Sequence, residues 1–298
     1  MPVTVGPFIF VNMKERLRIA IQAKGRLNEG SLSLMEESGI HLIFGSRSLV
    51  SPAKNFPVEV LYLRDDDIPQ TVAYGAADVG IVGENEVLEK NEAVTICKRL
   101  GFSKCRLSLA IPQQCEYTGP EWFMHKKIAT SYPGILNGWL AKNNLQAEIH
   151  VINGSVEISP GIGLADAIFD IVSSGSTLVT NRLKEVEVVV TSEAVMIRNK
   201  HLSEAKQAIL DELVFRMESV QRAEGKKYIL LNAPDSRIAE ISSILPGMKS
   251  PTVMPLAEKG WSSVHSVIDE NDFWEVIGQL KRAGAEGILV VPIEKMIF

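Results

Sequence analysis

The sequence predicts an α/β protein: a body of two lobes around a cleft, followed by a smaller C-terminal domain. Three features carry this reading. Strand-like and helix-like segments alternate from Leu17 onward, a polar connector bearing Gly and Pro interrupts them between Gln113 and Glu121, and a βαββαβ order follows the turn Gly225-Lys226-Lys227. A length of 298 residues suits about two domains, and an apolar content of 46% gives them ample core. A net charge of −5 argues against a nucleic-acid or anionic-membrane surface, so any polyanionic substrate has to be met by local cations.

Residues 1–13 are set apart as an N-terminal extension, and their apolar start lacks the basic region, long apolar stretch and cleavage site of a signal peptide. No apolar run approaches the roughly 18 residues of a membrane helix. Arg18 to Gln22 is predicted as a buried strand, with Lys24-Gly25-Arg26 turning into a helix from about Asn28. Two cations around a glycine at the carboxyl end of a strand stand where α/β proteins bind anions, although a solvated basic turn has the same composition. Val58 to Arg64 is a strand and Asp65 to Gly75 a helix, capped by Asp66 or Asp67 with Pro69 in its first turn. Ala77 to Gly83 is a strand that ends in the turn Gly83-Glu84-Asn85.

Cys105 to Ile111 forms another strand, and the first lobe is expected to span 14–110. The second, 111–189, runs through a strand to Thr130, a turn Ser131-Tyr132-Pro133, a helix to Asn144 and a strand from Ala147. Thr130 and Ser131 offer hydroxyls to a phosphate at that turn. Val186 to Arg198 has strong strand propensity and returns the chain to the first lobe, which 190–225 completes. His201 to Glu224 is an amphipathic helix with Ala205, Ile209, Val214, Met217 and Val220 inward and Lys206, Glu212 and Arg216 outward. Residues 226–298 follow the order of a ferredoxin-like domain, whose open sheet face often pairs with a copy of itself. Cys97, Cys105 and Cys115 show no Cys-x-x-Cys spacing and the histidines no metal-ligand spacing, which fits a reducing cytoplasm and no metal held by the protein alone.

The stretch from Asn153 to Thr180 holds the densest chemistry. Asp166 and Asp170 suit sugar hydroxyls, and Ser173-Ser174-Gly175-Ser176-Thr177 can turn N–H groups and hydroxyls onto a phosphate. Together they read as a ribose-phosphate site. The structural alternative is an amphipathic helix, with Leu164, Ala167, Ile168, Ile171 and Val172 on one face, ending at a Ser-Gly cap.

Gly154-Ser155-Val156-Glu157 followed by Leu164-Ala165-Asp166-Ala167-Ile168 and Asp170-Ile171-Val172-Ser173-Ser174-Gly175 resembles the phosphoribosyl-diphosphate (PRPP) loop of the ATP phosphoribosyltransferases. Ile171 and Ser174 depart conservatively from the family pattern, and Gly161 stands where relatives often carry Arg. The resemblance extends to Lys24-Gly25-Arg26-Leu27, Asp67-Ile68-Pro69, Gly80-Ile81 and Gly83 with Asn85. In the C-terminal part it continues through Pro255-Leu256-Ala257, Phe273-Trp274-Glu275 and Pro292-Ile293-Glu294-Lys295-Met296.

It implies a body like the two-lobed periplasmic binding proteins, carrying a ferredoxin-like regulatory domain as in the long form of the family. The implied reaction joins the phosphoribosyl group of PRPP to N1 of ATP with release of diphosphate, the first step of histidine biosynthesis, with Mg2+ on the substrate phosphates. Asp170 and Glu157 are expected at the ribose, Asp166 with Ser173 to Thr177 around PRPP, and Lys24, Arg26, Glu84 and Asn85 near ATP. Histidine is expected as an inhibitor on the C-terminal domain, near Asn232, Thr252 and Ser266, and the assembly as dimers and hexamers. Two other classes fit the fold, a non-catalytic small-molecule receptor and a silent regulatory subunit. The second is expected to lose the loop acids and basic turn, all of which are present.

Overall fold

The structure, a computed structural model, describes residues 15–44, 48–245 and 250–297. The expected extension lies outside these residues. One compact unit takes in the chain to residue 212 apart from 37–39, and a second takes in 37–39 with 213 onward, so the division falls earlier than 226.

The first unit begins with β1 (Leu17–Gln22), α1 (Arg26–Glu37), β2 (Val50–Pro52), β3 (Val58–Leu63), α2 (Ile68–Ala73), β4 (Val79–Gly83), α3 (Glu84–Lys90) and β5 (Val94–Arg99). It continues with β6 (Cys105–Pro112), β7 (Lys127–Thr130), α4 (Pro133–Lys142), β8 (Glu148–Val151), β9 (Ala167–Val172), α5 (Ser176–Thr180), β10 (Leu183–Ser192), β11 (Ala194–Asn199) and α6 (Glu204–Ala223), the last running on into the second unit. Two sheets result, ordered β2-β3-β1-β4-β11-β5 and β10-β6-β9-β7-β8. In the first, β1 is parallel to both β3 and β4, and Ile19, Ala20 and Ile21 are wholly buried, as a strand covered on both faces requires. The carboxyl ends of these three strands deliver Lys24-Gly25-Arg26, Asp65 and Glu84-Asn85 to one edge of the sheet.

The chain crosses between sheets twice, after β5 and between β10 and β11. The crossings lie side by side: Leu100 N donates to Ala194 O at 2.9 Å and Ala194 N to Phe102 O at 2.9 Å. The strand expected over Val186 to Arg198 is therefore two, one in each sheet. Strand β6 belongs to the second sheet, so the lobe boundary lies at Ser103-Lys104 instead of residue 110.

The lobes are also tied at α4, which has no side-chain cap of its own. The Glu89 carboxylate from α3 accepts Gly134 N at 2.8 Å and Ile135 N at 2.9 Å, so an acid of one lobe satisfies the first amides of a helix in the other.

Smaller expectations change as well. Helix α1 starts at Arg26, and no Asp side chain caps α2. On α6, Ala205 is exposed, while Lys206 is drawn in by Asp78 at 2.8 Å. Asp78 also accepts Arg18 N at 2.9 Å, which makes it a structural acid.

The second unit contains β12 (Lys226–Pro234), α7 (Ile238–Ile244), β13 (Thr252–Pro255), β14 (Trp261–Asp269), α8 (Phe273–Arg282) and β15 (Glu286–Pro292). Its antiparallel sheet, ordered β13-β14-β12-β15, has the ferredoxin-like arrangement. Ile229, Leu231, Val264 and Ile268 pack with Ile241 and Leu280, which covers one face with the helices. The other face presents Met254, Leu289 and Val291 to solvent.

Candidate active site

The carboxyl end of β9 and the turn after β1 converge on two adjoining cavities in the first unit. One, of about 270 Å3, is lined by Arg26, Glu157, Asp170 and the whole loop Ser173 to Thr177. The other, of about 300 Å3, is lined by Gln22, Gly25, Arg26, Asp65, Asn85 and Glu86, by Ser103 to Cys105 at the crossing, and by Ile171 and Ser173. Arg26, Ile171 and Ser173 border both.

The opening of the loop follows from Gly175, whose φ of 80° and ψ of 0° place it in the left-handed region. That turn releases the chain from β9 and exposes the hydroxyls of Ser174 and Ser176, which meet each other at 3.0 Å. Asp170, paired opposite Ser108 on β6, reaches into the first cavity. Burial raises its carboxyl to about 6, with the nearby Glu157 charge adding and the Ile171 amide opposing. Arg26 has no ion-pair partner among the described residues, which leaves its charge available to an anion.

The remaining expected residues divide. Lys24 is exposed beside Gly25 and lines neither cavity. Asp166 is corrected: it stands at the opposite end of β9, roughly 13 Å along the strand from Asp170, and its carboxylate accepts Lys127 N at 2.9 Å. The helix alternative for Leu164 to Val172 fails as well, because Ala167 to Val172 form a strand between β6 and β7 and no helix precedes it from Leu164. Glu84 is occupied by Arg99 in a two-pronged ion pair at 2.5 and 2.7 Å and is not part of the cavity wall. Asn85 is buried in that wall, its amide Nδ2 donating to Glu86 and Tyr132 and its Oδ1 accepting from Ser192. At the turn before α4, the Thr130 hydroxyl accepts from Tyr132 N at 2.8 Å and the Ser131 hydroxyl donates to Ile152 O at 2.6 Å, and neither residue lines the two cavities.

Sequence reasoning missed Glu86. It is 6% exposed, and its Oε1 accepts the Tyr132 hydroxyl at 3.0 Å and Asn85 Nδ2 at 3.1 Å. Burial raises its carboxyl to about 7; the Tyr132 hydrogen bond opposes that, and Asp65 and Asp66 add to it.

On the second unit, Asn232 lies on the open sheet face and Thr252 on the exposed edge strand β13. Ser266 is corrected: it alternates with Val264 and Ile268 on the helix-covered face and is 5% exposed. Its open-face neighbour His265 bonds Tyr228 Oη and Ser263 Oγ, each at 2.9 Å.

Comparison with known proteins bears on this arrangement directly. Residues 64–219 match the family described as HisG, ATP phosphoribosyltransferase, and 223–295 match the HisG C-terminal domain. An ATP phosphoribosyltransferase of Bacteroides fragilis is 66% identical over 281 residues, 94% of this chain and 99% of that protein. The chain belongs to the ATP phosphoribosyltransferase family. As an ATP phosphoribosyltransferase it is a transferase of the first step of histidine biosynthesis, and the receptor reading is not favoured. A chain of the ATP phosphoribosyl transferase (HisG:HisZ) complex from Thermotoga maritima matches with a TM-score of 0.60 at 26% identity, over 68% of this chain and 96% of that one. The arginine-bound protein Tv2483, with a TM-score of 0.50 at 13% identity over 72% of this chain and 88% of its own, shares only the fold of this ATP phosphoribosyltransferase.

Proposed function

We propose that the first cavity holds the ribose 5-phosphate part of PRPP and the second the nucleotide, so that N1 of ATP meets the anomeric carbon where they adjoin. The observation that carries this is the sharing of Arg26, Ile171 and Ser173 by a cavity rich in acid and hydroxyl groups and a cavity walled by Gln22, Asp65 and Asn85. The N1 lone pair forms the new bond as the C1–oxygen bond breaks and its electrons leave with diphosphate. Positive charge builds on the ribose ring in between, and the Asp170 carboxylate, with Glu157 beside it, offsets that charge. The loop Ser173 to Thr177 holds the 5′-phosphate and Arg26 the phosphates nearest the shared wall. No covalent nucleophile is needed, and most of the acceleration comes from orientation and electrostatics.

Mg2+ fits as a companion of the substrates. Among the described residues no cluster of three His, Cys, Asp or Glu could grip a metal unaided, and the carboxylates in reach are Asp170 and Glu157. Bound to phosphate oxygens, the ion would neutralise the leaving diphosphate. No helix of the described residues is long and apolar enough to cross a membrane, and the cytoplasm is the proposed location.

The test is the absorbance of product formed from ATP, PRPP and Mg2+. Absence of product with a folded protein would reject the reading.

Feedback by histidine is proposed for the second unit, with Asn232 and Thr252 as contacts and the apolar open face as a contact between copies in dimers and hexamers. Histidine then favours one quaternary arrangement, with a coupling of about 1 to 3 kcal/mol. Titrated into the full-length protein, histidine is expected to lower kcat while leaving the PRPP KM within about twofold, and Asn232→Ala to weaken that response. Straight competition with PRPP would instead place the inhibitor in the cleft.

A further inference from the structure

Glu86 is a buried carboxylate that the proposed chemistry leaves unused. Its Oε1 takes both hydrogen bonds that the protein supplies, from Asn85 and Tyr132, while Oε2 receives none from the described residues and the side chain borders the second cavity. That cavity carries two acids, Asp65 and Glu86, and two cations, Arg26 and Lys104. The cations suit the phosphates of ATP, while the acids, which only accept hydrogen bonds when ionised, suit the hydrogen-bond donors of the base. The second cavity adjoins the one that holds Asp170 along Arg26, Ile171 and Ser173, so Glu86 lines the chamber next to the reacting end.

Adenine has one group that rewards an acid there. When N1 is alkylated, its lone pair enters the N1–C1 bond and the positive charge spreads over the N1–C6–N6 amidine. The hydrogens on N6 become more acidic at the same moment. We infer that Glu86 receives the 6-amino group of ATP, accepting a hydrogen bond from N6 that strengthens as the amidinium forms and then taking that proton. The balance is closed: N6 keeps the N–H electron pair and becomes a neutral imine conjugated with the ring, and Glu86 becomes the neutral acid. This assignment rests on the proposed placement of ATP in the second cavity.

The surroundings suit a carboxylate that must gain and lose a proton. Tyr132 faces it from the turn before α4, Asp65 and Asp66 from the 3-10 turn before α2, and Lys90 from its own helix; β10 contributes Ser192, which meets Asn85 instead. Burial and the two aspartates hold the carboxyl near 7, so a proton taken from N6 at neutral pH is readily passed to water.

Glu86→Gln keeps the size and the acceptor for Tyr132 while removing the charge. It is expected to lower kcat about 100-fold, with KM for PRPP within threefold. In wild type, kcat is expected to rise through a limb near pH 7, and this limb is absent in the variant; the Asp170 limb near pH 6 remains in both. Replacing a buried, ionised group with a neutral one leaves the melting temperature at pH 8 equal or higher, which separates this loss from unfolding. Calorimetry supplies a readout that needs no turnover. Wild type should bind ATP about tenfold more tightly than N6,N6-dimethyl-ATP, and Glu86→Leu should lose that preference. Wild-type product formation tests the reaction itself. The inference is overturned if Glu86→Gln retains the limb near pH 7, or if Glu86→Leu still prefers ATP.

Discussion

Asp170→Asn is expected to reduce kcat by roughly 100- to 1,000-fold, the equivalent of about 2.7 to 4 kcal/mol of transition-state stabilisation. The amide fills the same volume opposite Ser108 on β6, so the change removes a charge and little else. In the wild type that charge is held in a buried setting that raises the carboxyl to about 6, and wild-type kcat should fall as pH drops through that value. The sign for stability runs the other way. A carboxyl raised above its ordinary value favours the folded state most when protonated, and that contribution is lost as pH rises through about 6. Asparagine escapes the loss, so the variant should melt no lower than wild type at pH 8. Steady-state rates from pH 5 to 9 with parallel thermal melts check both points. A kcat within twofold of wild type would reduce Asp170 to an acid on the strand.

Gly175→Val should raise the PRPP KM by tenfold or more while leaving that for ATP nearly unchanged. A Cβ at Gly175 meets open space, its nearest neighbour being Val172 Cγ1 at 3.9 Å, so collision is not the cause. The cause is the backbone: φ of 80° suits glycine and disfavours a β-branched residue by about 1 to 2 kcal/mol or more. The exposed loop relieves that strain by moving, which displaces the groups proposed to hold the phosphate but disturbs little of the core. Gly175→Asn is the control, since Asn tolerates this region. It should keep a KM within a few-fold of wild type, and equal losses in both variants would point to the added side chain itself.

Where sequence pattern and structure differ, the difference has a physical origin. Ala167 to Val172 is a mostly apolar run paired with β6 on one edge and β7 on the other, and three successive residues, Ala167, Ile168 and Phe169, are buried, so the alternation that marks a half-buried strand is missing and a helix fits equally well. The consequence fell on Asp166. A four-residue spacing places two acids side by side on a helix but at opposite ends of a short strand. Cys105 to Ile111 is readable as a strand, yet nothing local states which sheet it joins; its partners are β9 and β10, far along the chain. Glu86 owes its depth to Tyr132, 46 residues away, and no spacing rule reports that. By contrast, Ser266 was legible: Val264 and Ile268 flank it at a period of two and mark its face as inward. The C-terminal order emerged correctly because its helices and strands alternate with turns at every junction.

The Glu89 bridge gives the molecule a native reporter of its own motion. The amide hydrogens of Gly134 and Ile135 lie at the start of α4, where a helix supplies no carbonyl partner, and the bonds they make run to a carboxylate on the other lobe. When the lobes part, these two amides lose their acceptor together while the rest of α4 remains internally bonded. Their exchange with deuterium therefore counts openings of the cleft, and slowing on addition of substrate would measure closure without any attached label.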